Sequence, residues 1–183
     1  SQMKDRFTFL NGHFKRIDGK MPLKRCKKHQ KMTSSPFVFF RGSSQLFYAD
    51  IANEVINLPN RRWPLTTIMG DCHTSNFGFF TEEGSHGDKV IFAANDFDDA
   101  CIGDPLWDIL RYLVSLELCA EHCKLLSQNK IVSDHKYIGQ PWIDEGGTQE
   151  AKSAFIAAYI NTCSGVVGDA NYLLNIFDEF EGS

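Results

Sequence analysis

Apolar positions are scattered through residues 1–35, which read as polar and irregular. Pro36-Phe37-Val38-Phe39-Phe40 is a short aromatic run that predicts a strand, closed by Arg41-Gly42-Ser43-Ser44. Leu46, Ala49, Ile51, Ala52 and Val55 recur at helical spacing and predict a helix over 45–56, with a loop over 59–64. An extended stretch over 66–69 leads into Gly70-Asp71-Cys72-His73-Thr74-Ser75-Asn76. Two apolar runs, 77–80 and 89–94, flank a polar glycine-containing segment and predict a β-hairpin turning near His86.

Asp104-Pro105 predicts a helix start, with Asp as N-cap and Pro at the first helical position. That helix is expected to run to about Leu126, with Trp107, Leu110, Val114 and Leu118 on its apolar face. Residues 127–147 read as a loop. A helix capped by Thr148 follows over 149–163, with Phe155, Ala158, Tyr159 and Thr162 on one stripe, and a last short helix over 171–180. The pattern implies an α+β domain, mostly helical, built around one hairpin, over 36–183. Residues 1–35 are then a basic N-terminal arm.

Composition supports a packed protein: 183 residues, 43% hydrophobic, with fifteen Phe. No apolar run is long enough for a membrane span. The six cysteines form no CxxC pair and show no staple pattern, so they read as reduced thiols of a cytoplasmic protein. Cys119, His122 and Cys123 share a helical stretch, but without a second ligand pair they read as a helix face rather than a zinc site. The net charge of -4 hides a split. Residues 1–32 hold ten Lys or Arg against two Asp, and the remainder nine against twenty-one acids. The basic run 24–31 has no interleaved aromatics for stacking, so nucleic acid is not the expected partner, and a solvated arm against the acidic body is.

The hairpin carries the candidate chemistry. A turn centred near His86 places Asn76 opposite Asp96, and facing residues in such a ladder lie about 4.5–5.5 Å apart at Cα. Asp71 sits in the loop that feeds the hairpin. An amide oxygen with carboxylates is a ligand set for a hard divalent ion such as magnesium, which usually accompanies a phosphate substrate. The run Asp96-Phe97-Asp98-Asp99 adds negative charge that a cation would relieve. Taken singly, each of these residues is equally an ordinary turn or cap former.

Gly70-Asp71-Cys72-His73-Thr74-Ser75-Asn76 resembles the GDxHxxN catalytic loop of aminoglycoside phosphotransferases and related small-molecule kinases. Asn95-Asp96-Phe97-Asp98-Asp99-Ala100 resembles their metal-binding segment, and Gly103-Asp104-Pro105-Leu106-Trp107-Asp108 the GDPxxD stretch that follows. The chain is still more similar to a bacterial family, domain of unknown function 2252, across most of residues 31–118. The resemblance implies a kinase-like C-lobe and a Mg2+- and ATP-dependent phosphotransferase acting on a hydroxyl, with a small molecule as the expected acceptor. It implies that Asp71 is the catalytic carboxylate and that Asn76 and Asp96 hold magnesium on the nucleotide phosphates. Asp98 is then an alternative metal group, and His73 and Asp108 brace the loop. Arg41 reaches a phosphate or forms an ordinary ion pair.

The chain departs from the kinase pattern in two places. Met69 stands where a His often precedes Gly-Asp. Only about seventy residues precede the loop, and Gly12, Gly19-Lys20 and Gly42 make no phosphate-binding turn, so a complete N-lobe is not expected. The resemblance implies a circularly permuted kinase whose glycine-rich turn and lysine strand come later, which makes these residues a fragment of a longer protein. Two other functions compete. A metal-dependent phosphoesterase fits the DxH motif Asp71-Cys72-His73 but lacks further histidine motifs. An inactive kinase-like binding module fits the basic arm.

Overall fold

The computed structural model describes residues 2–19, 26–59, 63–81 and 90–174, with the side chains of 2–4 left aside. The chain is mixed α+β, mostly helical, with two small antiparallel sheets. It divides into two compact units, Ser1–Pro64 with Glu121–Pro141, and Leu65–Ala120 with Trp142–Ser183.

The first unit overturns the expectation of an irregular arm. Helix α1 spans Gln2–Asp18 and α2 spans Lys27–Met32. Leu10 and Phe14 lie on one helical stripe of α1, and Phe14 is buried with Met32 and Leu46 against Phe9, Leu10 and Phe39. Arg6 donates to both carboxylate oxygens of Asp50, at 2.6 and 2.7 Å, and Asp18 accepts from Lys28 and pairs with His29. Lys24 and Arg25 of the basic run, and Lys20 ahead of it, lie outside the described residues.

Residues predicted as a strand form helix α3, Pro36–Arg41. The Ser35 hydroxyl accepts the Val38 N–H and Pro36 takes the first helical position, so the capping pair outweighs the strand preference of the aromatics. Helix α4, Ser44–Ala52, follows close to its predicted place.

In the second unit β1 (Thr66–Ile68) and β2 (Phe77–Thr81) fall where extended chain is expected, and β3 (Val90–Ala94) completes the hairpin. The turn itself lies outside the described residues. The register differs by one residue from the expected one. Phe77 pairs with Ala94 and Phe79 with Phe92, and the Asn95 N–H donates to the Asn76 carbonyl at 2.8 Å. Asn76 therefore faces Asn95, and Asp96 lies one step beyond. This register gathers Phe77, Phe79 and Phe92 on one face, with Phe77 edge-on to Tyr112 at 5.3 Å. A short strand the pattern did not reveal, β4 (Cys101–Gly103), pairs with β1.

Helix α5 spans Pro105–Ser127, and Asp104 caps it by accepting the Leu106 N–H. Its fully buried side chains are not the expected apolar stripe but Arg111 and Ser115. Helix α6 starts earlier than predicted, at Glu145, and runs to Gly168. Asp144, not Thr148, is the cap and accepts the Gly147 N–H, while buried Thr148 bonds back to the Asp144 carbonyl. Tyr112 packs on Phe155 at 4.4 Å, and Glu117 pairs with Lys152, joining α5 to α6. Residues 172–174 begin a helical turn, and the rest of the predicted last helix lies outside the described residues.

Candidate active site: the loop between β1 and β2

The loop starts at a glycine for a steric reason. Gly70 has φ +83°, and a Cβ built there would lie 2.0 Å from the Asp99 carbonyl oxygen. Only glycine combines that backbone hand with so close an approach. The contact brings the segment after β3 against the head of the loop.

Three side chains of α5, spaced i, i+3 and i+7 and so on one helical face, hold the loop from below. Asp108 accepts the Met69 N–H at 2.6 Å and the Gly70 N–H at 3.0 Å. Arg111, buried, donates from Nε and Nη2 to Oδ1 of Asp71 at 3.0 and 2.8 Å. Ser115 accepts the Thr74 N–H at 3.0 Å and donates to the Tyr112 carbonyl. At the far end of the loop the Asn76 amide nitrogen donates to the Asp71 carbonyl at 2.9 Å.

Asp71 is the residue on which these contacts converge. Its Oδ2 faces His73 Nε2 at 3.4 Å, and its side chain keeps 16% of its surface exposed. Burial pushes its carboxyl up, but the His73 ring and the Arg111 guanidinium together outweigh that and hold it below the usual carboxylate range. Neighbouring Cys72 goes the other way. Burial, with the Asp108 carboxylate nearby, pushes its thiol up to about 12, so it is an inert thiol and not a nucleophile. His73 Nδ1 and Thr74 Oγ1 are buried without a hydrogen-bond partner among the described residues.

Asp71, His73 and Asn76 thus belong to one hydrogen-bonded loop, and Asp108 braces it from α5. Asp96 follows the hairpin ladder directly, is exposed, and has φ +60°. A left-handed non-glycine residue costs about 1 kcal/mol or more. Asp98 is exposed in the next turn. Arg41 belongs to the other unit, with its guanidinium 5.5 Å from the Phe37 ring centre. Arg111 and Ser115 escaped the sequence reading. Their signal is a polar stripe continuing the spacing of Asp108 along the otherwise largely apolar first half of the helix.

Oxygen donors suited to magnesium are the Asn76 side-chain oxygen, whose amide nitrogen is already engaged, and the exposed Asp96 and Asp98 carboxylates. Among the described residues no three His, Cys, Asp or Glu gather into a metal-holding group. Magnesium typically takes one or two carboxylates and completes its shell with water and substrate phosphates, so these are donor types it accepts.

An α+β protein that fixes an ionised aspartate in a hydrogen-bonded loop between two short strands is the class defined so far. The bacterial family described as "uncharacterized protein conserved in bacteria (DUF2252)" matches residues 20–134, and the chain belongs to it. No curated protein and no solved structure matches the chain. No helix among the described residues is long and apolar enough to cross a membrane, and no disulfide joins any of the six cysteines.

Proposed function

We propose that the protein is a Mg2+- and ATP-dependent phosphotransferase of kinase-like type, with Asp71 as the catalytic carboxylate and a small hydroxyl compound as acceptor. The observation that carries this reading is the state of Asp71. It is held ionised by Arg111 and His73, with two hydrogen bonds on Oδ1 and, among the described residues, a long 3.4 Å contact at Oδ2. A carboxylate so arranged can accept the hydrogen of an incoming hydroxyl through Oδ2 and orient its oxygen for attack. In phosphoryl transfer little more is needed than positioning and charge stabilisation.

Asn76, Asp96 and Asp98 would hold the magnesium ion, which supplies charge neutralisation on the nucleotide phosphates when bound. The strained backbone at Asp96 supports a functional position there. The kinase-like reading of the second unit rests on the motifs 70–76, 95–100 and 103–108 and on the bracing of that loop by Asp108.

The test uses protein expressed from the complete reading frame, with magnesium and γ-labelled ATP. Asp96→Ala should abolish magnesium-dependent nucleotide binding. Asp71→Ala should keep binding and lose transfer by about 100-fold or more. Phosphate release from simple esters at the same rate without ATP would favour phosphoesterase chemistry and refute the proposal.

A further inference from the structure

We propose that Arg111 is a positioning residue for Asp71: its guanidinium fixes the rotation of the carboxylate so that Oδ2 alone is presented to the acceptor hydroxyl. The inference rests on the phosphotransferase reading of the site, and it assigns a role to a residue that no motif marks.

The geometry distinguishes this role from simple charge neutralisation. A guanidinium that only pairs with a carboxylate commonly takes both oxygens with two parallel hydrogen bonds. Here Nε and Nη2 both converge on Oδ1, at 3.0 and 2.8 Å. Such a contact locks one oxygen in place and leaves the second oxygen to the 3.4 Å contact with His73 Nε2. Arg111 is itself fixed, since it is buried with no exposed surface and sits mid-helix on α5.

The loop backbone is fixed separately on either side. Asp108 takes the Met69 and Gly70 amides, and Ser115 takes the Thr74 amide. With the ends of the loop tied down, the freedom left at Asp71 is chiefly that of its side chain, and that is what Arg111 removes. Lysine carries the same charge but has no planar fork, so it cannot reproduce two directed donors on one oxygen.

The decisive variant is Arg111→Lys, assayed by MgATP turnover with water or an added polyol as acceptor. We expect kcat to fall about 100-fold, the scale of an ångström-level misplacement, with the KM for MgATP within about twofold of wild type. In an Asp71→Asn background the same substitution should have no further effect on rate, because Arg111 acts through Asp71. Near-wild-type kcat in Arg111→Lys would show that charge alone suffices and would overturn the proposal. So would an additive loss in the double variant.

If Arg111→Lys fails to fold, the pair Asp71→Asn and Asp71→Asn/Arg111→Met gives the same comparison without an unpaired buried charge, and a lower rate in the second counts against the proposal. If wild-type protein turns over no MgATP, the phosphotransferase reading is what fails. The clamp is then judged by NMR, where the Arg111 Nε hydrogen should exchange at least about tenfold faster in Asp71→Asn. Unchanged exchange would refute the clamp itself.

Discussion

Asp71 in the β1–β2 loop and Asp108 on α5 are two carboxylates of one hydrogen-bonded site, yet they do opposite work. Asp108 satisfies two backbone amides and so belongs to the scaffold. Removing it leaves buried N–H groups without a partner, which typically costs about 1–3 kcal/mol. Asp108→Ala should therefore lower stability by about that amount in denaturant unfolding, and lower turnover with it. Asp71 is held below its usual range, so its ionised form stabilises the fold at any pH above the unfolded-chain value of about 3.9. That contribution is lost as pH falls through the lower folded value. Wild-type stability should drop on acidification below about pH 4, and Asp71→Asn should show a flatter profile over the same window. An equally steep acid limb in Asp71→Asn would place the titration elsewhere. Asp71 and Asn76 stand out in the sequence because they share one short motif, and Asp96 because it lies in a second. Arg111 and Ser115 do not, because their partners lie 40 and 41 residues away in the chain and helix periodicity reads only apolar faces.

Among the elements, those with a local chemical signal were readable. The Asp104-Pro105 start of α5, the hairpin strands and α4 all carry such signals. At α3 the aromatic run points to a strand, but the Ser35-Pro36 cap decides for a helix. The hairpin register missed by one residue because turn position was inferred from composition, whereas the pairing follows the Phe79–Phe92 contact and the seat of Phe77 on Tyr112. Strand β4 is three residues long and exists only by pairing with β1, which no local pattern announces. Two substitutions test the elements. Gly70→Ala forces a Cβ onto the Asp99 carbonyl at a left-handed backbone position, and should cost roughly 3 kcal/mol or prevent folding altogether. Phe14→Ala opens a cavity between α1, α2 and α4 and should cost about 3–5 kcal/mol in thermal or denaturant unfolding. A near-neutral Phe14→Ala would mean that α1 is not part of the first unit's core.

For the whole molecule, the charge split noted in the sequence takes on a different meaning. Part of the basic N-terminal charge is spent inside the first unit, with Arg6 on Asp50 and Lys28 on Asp18. The first 32 residues are thus in part a packed, ion-paired layer sharing a core with α3 and α4, while Lys15, Arg16, Lys27 and Lys31 stay exposed. The second unit carries the loop, the hairpin and the acids that follow it. On the proposed reading, its chemistry would use a carboxylate, an amide and one or two exposed acids, with magnesium and nucleotide supplying the remaining ligands and charge. The most direct test of that account is transfer of labelled γ-phosphate from MgATP by the complete gene product, compared between wild type and Asp71→Asn. The account predicts magnesium-dependent transfer in wild type, lost by two orders of magnitude or so in Asp71→Asn, with fluorescent nucleotide binding retained. Full turnover in Asp71→Asn, or nucleotide binding indifferent to magnesium, would contradict it.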